Sequence, residues 1–155
     1  MTHLLNRLLD RLTDRSETRT ASERDIRLAT AALLVEVARA DFHDQAEEIR
    51  AMIELIARRF DLSEPEARDL LDQANKHQDK QVSLFPIVET INKNCSPEEK
   101  RDILLDCWRI AYADNRLDRY EDHHVRKIAE LLHLSHADFI QTKLRAQAEA
   151  EKRRG

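Results

Sequence analysis

Glycine is almost absent from this 155-residue chain: its one occurrence is Gly155, the last residue. Phosphate-cradling loops, dinucleotide fingerprints and nucleophile elbows need glycine where backbone approaches a ligand or takes positive φ. All of these are therefore excluded in their usual form. Two-residue hairpins lean on Asn-Gly or Asp-Gly, so an extended meander of strands is excluded with them. Cysteine is nearly as scarce. Cys95 and Cys107 form no C-x-x-C pair, and the expectation is a reduced, cytoplasmic chain without a disulfide framework. No apolar run is long enough for a membrane span of about 20 residues, since the stretch from Leu28 stops at Glu36. Nor is there a basic excess. Lys and Arg number 26 against 30 Asp and Glu, a net charge of −4, which offers nothing to a nucleic-acid backbone. The opening MTHLLNRLLDRL breaks its leucines with Asn6, Arg7, Asp10 and Arg11, unlike a secretory signal.

What remains is rich in Ala, Leu, Glu, Arg and Lys, 41% hydrophobic and 36% charged, the composition of an all-α protein. The length suits one domain. Residues 1–13 form an amphipathic helix with Leu4, Leu5, Leu8, Leu9 and Leu12 on one face, suited to a protein partner or to self-association. Residues 14–22 read as a polar linker, 23–150 as the helical domain and 151–155 as a basic tail. Within the domain, Ile26, Ala29, Leu33 and Val37 stripe a helix over about 23–40, and Ile49, Met52, Ile53, Ile56 and Phe60 stripe the next. Ser63-Glu64-Pro65-Glu66 and Ser96-Pro97-Glu98-Glu99 are capping boxes, and Ser135 to Asp138 starts the last helix, with Ile140 and Leu144 on its apolar face. Pro86 falls inside the apolar pattern of Val82, Phe85, Val88 and Ile91, so that helix either starts late or is kinked. The expected architecture is a single bundle of about seven to eight helices.

Two segments match at an offset of 73. Ala38-Arg39-Ala40-Asp41 precedes a polar break, Glu48, an apolar helix and Leu62-Ser63-x-x-Glu66; Ala111-Tyr112-Ala113-Asp114 precedes a break, Glu121, an apolar helix and Leu134-Ser135-x-x-Asp138. A duplicated helix–acidic turn–helix–capped helix unit follows, its two halves burying their apolar faces about an approximate two-fold axis.

The second turn, DNRLDRYE, gathers Asp114, Asp118 and Glu121. Three carboxylates around one short break suit a hard divalent cation, Ca²⁺ or Mg²⁺, which takes oxygen ligands. Asp114 stands at a helix C-terminus, where its charge opposes the macrodipole, so helix stability does not account for it. The spacing is not that of a twelve-residue EF-hand loop. The competing account is structural: Asp118-x-x-Glu121 and Asp44-x-x-Glu47 are capping boxes, with Asp41 and Asp114 tying successive helices together. The first-copy counterpart of the cation site is Asp41, Asp44 and Glu48, with Gln45 and not a carboxylate at the fifth position of the turn, where the second copy has Asp118.

The doubled Ala-x-Ala-Asp turn, its acid seven residues on, Trp108-x-x-Ala111-Tyr112-Ala113-Asp114, Tyr120-Glu121 and Leu132-His133-Leu134-Ser135 resemble the tellurite-resistance TerB family. The resemblance runs from about Ile26 to Leu144. It implies an all-α domain of two related halves, also found at the N-terminus of DnaJ-type membrane co-chaperones, with no established catalysis. It further implies an association with metal or oxidative stress and acidic turns that bind divalent cations. No His-Pro-Asp tripeptide of a J-domain occurs. Where the family has glycine after the turn Asp, this chain has Phe42 and Asn115; Asn tolerates the left-handed region and a bulky aromatic does not.

The seven histidines do not form a zinc pattern. His123 and His124 are adjacent and diverge on a helix, and His133 and His136 flank a turn without a third ligand. Cys107 beside Leu104 and Trp108 reads as an inert core thiol, and Phe60, Phe85, Trp108 and Phe139 as packing anchors. No catalytic constellation stands out. The reading is a non-enzymatic, stress-associated interaction module, with a homo-oligomeric or adaptor scaffold acting through the Leu4–Leu12 helix as its alternative.

Overall fold

The computed structural model describes the backbone of residues 16–39, 45–80, 84–113 and 119–154, and the side chains of 23–38, 46, 49–76, 84–113 and 122–153. Seven helices and no strand occur among the described residues: α1 Ser16–Arg39, α2 Gln45–Phe60, α3 Glu64–Lys80, α4 Phe85–Asn94, α5 Pro97–Ala111, α6 Arg119–Leu131 and α7 His136–Arg154. No helix of the described residues is long and apolar enough to cross a membrane. The chain is an all-α helical domain.

Two helices form its centre. From Ala29 to Val35 every residue of α1 is buried, and so is every residue of α5 from Ile103 to Trp108. A helix that is apolar all round must be surrounded by other elements. Accordingly α1 packs against α2, α3, α4 and α5, while α5 also holds α2, α6 and α7. The outer helices bury one stripe each: Met52, Ile53 and Ile56 on α2, Ala67, Leu71 and Ala74 on α3, Val125, Ile128 and Leu132 at α6. All of these join one continuous core.

The helix starts form as their sequences dictate. Ser63, Ser96 and Ser135 accept from the backbone N–H of Glu66, Glu99 and Asp138, whose carboxylates accept in return from the three serine N–H groups. Each box satisfies two donors that a helix start leaves unpaired. Pro86 settles as a late start, since α4 opens at Phe85 with the proline in its first turn.

The helix ends show how the chain manages without glycine. Asp61 (φ 54°) and His133 (φ 60°) adopt the left-handed conformation. The next N–H, of Leu62 or Leu134, reaches the carbonyl of Ala57 or Ala129 at 2.9 and 3.0 Å, the wide bond of a Schellman turn. A residue with a Cβ pays roughly 1–2 kcal/mol for this conformation, and glycine gives back part of that through a freer unfolded chain. His133 is exposed and loses little packing. His133→Gly is therefore expected to raise stability by up to about 1 kcal/mol, seen as a higher urea midpoint at unchanged slope. A lower midpoint would show that the imidazole contributes more than its backbone costs.

The structure differs from several of these expectations. α1 is helical from Ser16, within the segment 14–22 that reads as polar linker, because adding residues to an existing helix costs far less than nucleating one. The helix α7 continues through Arg154, and Lys152 and Arg153 meet the negative end of the helix dipole. Phe85 is 67% exposed rather than core. It is the first residue of α4, and a helical side chain covers the turn N-terminal to itself, which here does not exist. Leu144 is also exposed, because Phe139, Thr142, Ala146 and Ala150 set the buried stripe of α7 and two positions past Thr142 faces the other way. Ile49 is largely exposed too, in an open groove of about 560 Å³ between α2 and α3.

Candidate functional site

The acidic turn that gathers Asp114, Asp118 and Glu121 lies between α5 and α6. Asp114 and Asp118 are outside the described residues, as are Asp41 and Asp44. Glu121 falls in α6 and Glu48 in α2, with their side chains likewise outside. The Leu4–Leu12 segment is outside as well. Among the described residues no group of three His, Cys, Asp or Glu could hold a metal.

The frame of the second turn is well defined. On the α5 side, Tyr112 and Ala113 close the helix by bonding the carbonyls of Trp108 and Ile110. The Tyr112 ring packs 6.2 Å from Trp108, which in turn meets Phe139 of α7 at 5.1 Å. On the α6 side, Asp122 binds the Lys143 ammonium at 2.7 Å, and that ammonium lies 5.5 Å from the centre of the Trp108 ring. Arg126 lies 4.6 Å over Phe139. Cations over aromatic faces are attracted by the ring quadrupole, so α5, α6 and α7 are tied together. Burial, with the Asp122 charge nearby, pushes the Tyr112 phenol above its usual range. Asp122, committed to Lys143, is not a spare ligand for the three acids of the turn.

Further along α5 is a charged network that the sequence reading missed. Asp106 is 1% exposed. Arg59 of α2 forks onto it through Nε at 2.8 Å and Nη2 at 3.0 Å. Arg109 adds Nη1 at 2.9 Å and then forks onto Glu149 of α7 through Nε and Nη2 at 2.8 and 2.9 Å. Paired guanidinium–carboxylate forks are the strongest class of such bonds. The bond to Glu149, more than that to Asp106, holds the Arg109 guanidinium above its ordinary value, and Arg109 holds the Glu149 carboxyl below its own. A signal was present: Asp106 is the lone acid in Ile103-Leu104-Leu105-Asp106-Cys107-Trp108, and a charge in an apolar run has to be paired. Two opposed carboxylates and two arginines in this layout fasten α2, α5 and α7; they expose no nucleophile.

The remaining candidates behave as packing or surface groups. Cys107 is fully enclosed and burial drives its thiol far above the usual range. Cys95 is half-buried, with its thiol raised by burial. His123, His133 and His136 are exposed, while His124 Nε2 stands 3.4 Å from Glu36. Asn92 and Lys100 donate to the carbonyls of Leu131 and Leu132, closing the C-terminus of α6.

A family model described as "Tellurite resistance protein TerB" matches residues 27–144. No curated protein and no solved structure matches the chain.

Proposed function

We infer, for a chain that belongs to the tellurite-resistance TerB family, a non-enzymatic binding module of the stress-associated kind, carrying a divalent cation at Asp114, Asp118 and Glu121. The observation that carries this reading is the rigid frame around the second turn. Trp108, Tyr112, Phe139, Asp122 and Lys143 tie the end of α5 to the start of α6, the two helices that the acidic segment joins in sequence. The donor set, all carboxylate, fits Ca²⁺ or Mg²⁺ and not a soft metal. Asp41, Asp44 and Glu48 are the poorer counterpart, with Gln45 where the second copy has Asp118.

Support for binding rather than turnover comes from the ionisable groups already placed. The one buried carboxylate among the described residues, Asp106, is consumed by two arginines, and the buried thiol is enclosed.

Thermal unfolding of the full chain with Ca²⁺, Mg²⁺ or Zn²⁺ tests the reading. A cation at a hundred times its Kd adds about 2.7 kcal/mol to stability, and Asp114→Asn is expected to remove that gain while leaving the metal-free melting point in place. No shift with any of the three ions would reduce the turn acids to caps.

A further inference from the structure

A second feature stands apart from the acidic turns. A cavity of about 460 Å³ opens between the N-terminal half of α1, the C-terminal end of α2 and the first turns of α5. That volume lies in the range of small-molecule sites. Its apolar surface comes from Ile26, Phe60 and Ile103, and its charges are Glu23, Asp61, Glu99 and Asp102 against Arg27 and Arg59.

The charges do not cancel. Arg59 is forked onto Asp106, which lies outside the cavity, with Asp102 at 3.9 Å. Arg27 lies over the Phe60 ring at 5.7 Å. Glu99 accepts from the Ser96 N–H. Carboxylates therefore outnumber the free cationic charge, in a concave place where low-dielectric walls focus the field. An independent sign points the same way. Thr30, also part of the wall, is 1% exposed, and its hydroxyl has no hydrogen-bond partner among the described residues. Buried hydroxyls are normally satisfied, and an orphan beside a cavity calls for a polar group from elsewhere.

We propose that this cavity binds a small organic monocation: an amine or amidine on an apolar body, the charge among Glu23, Asp61 and Asp102, the body on Phe60 and Ile103, the inner end reaching the Thr30 hydroxyl. A free anion is repelled by the same rim, and a bare metal ion leaves the apolar surface unused. The site does not depend on the turn at Asp114, so either reading can fail alone.

Cys95 supplies the readout. It stands in the cavity wall and is half-buried, while the other cysteine, Cys107, is fully enclosed. Alkylation of Cys95 by iodoacetamide in the full chain, followed by mass spectrometry, is measured with phenethylamine or with its anionic analogue 3-phenylpropanoate at equal ionic strength. At ten times its Kd the amine slows the reaction about tenfold, following the unoccupied fraction, and the acid does not. The double variant Glu23→Gln/Asp61→Asn is expected to abolish the protection, measured against the variant's own ligand-free rate, at an unchanged melting point, since Asn keeps the left-handed turn at position 61. Thr30→Val weakens the protection. Protection by neither compound, equal protection by both, or protection that survives the double variant overturns the proposal.

Discussion

Asp106→Ala is expected to lower the free energy of unfolding by about 3–5 kcal/mol, the usual cost of removing one partner from a buried ion pair. Urea titration at neutral pH reads it. The cause is what remains: Arg59, with its side chain 30% exposed, loses both bonds of its fork and keeps only Asp102 at 3.9 Å. Arg109 loses one bond and keeps Glu149. The asymmetry gives a second arm. In the pair Asp106→Leu with Arg59→Met, no charge is stranded at that end, and apolar replacements of buried pairs are often neutral. The double variant is expected to recover most of the loss. A single variant that costs under about 1 kcal/mol, as exposed pairs do, would mean that water reaches the network and that α2, α5 and α7 are held by packing alone.

Trp108→Ala is expected to cost about 3–5 kcal/mol, through lost burial and the void left behind. The residue is fully buried, and its ring touches both Tyr112 and Phe139. Trp108→Phe tests the same site more finely. Among the described residues the indole Nε1 is buried without a partner, a standing cost of roughly 1–3 kcal/mol that phenylalanine removes along with part of the volume. The expected loss for Trp108→Phe is therefore smaller than its volume change suggests, about 1 kcal/mol or less. Because Trp108 is the only tryptophan, a denaturant titration of Trp-free variants needs circular dichroism. If Trp108→Phe costs as much as Trp108→Ala, the ring edge has a role that its neighbours do not show.

Much of the fold was readable because its signals are local. Ser63, Ser96 and Ser135 stand three residues before an acid, and all three boxes form. Pro86 inside an apolar pattern left two options, and the missing N–H decided for a late start. The acidic turns were legible as composition, which says that Asp114, Asp118 and Glu121 are near one another along the chain and nothing about where their oxygens point. Leu144 and Phe85 misled for a related reason. An apolar residue at roughly helical spacing is counted into a stripe until the neighbouring helix shows where the stripe runs. Asp106 was passed over because an acid among leucines is uninformative until its partners, 47 residues away at Arg59 and by way of Arg109 at Glu149, are in view.

Sequence alone determined that this chain is helical throughout its described length, where most helices start, and which family it belongs to. Those properties follow from intrinsic propensity, apolar period and capping, each acting over a few residues. Tertiary structure alone decided that α1 and α5 are the enclosed helices, that Arg59, Asp106, Arg109 and Glu149 form one network, and that carboxylates from α1, α2's end and α5 ring a cavity beside an orphan hydroxyl. Such facts depend on the angles and distances at which separate helices pack. Those are set by side chains meeting across the core, and no local stretch of sequence specifies them.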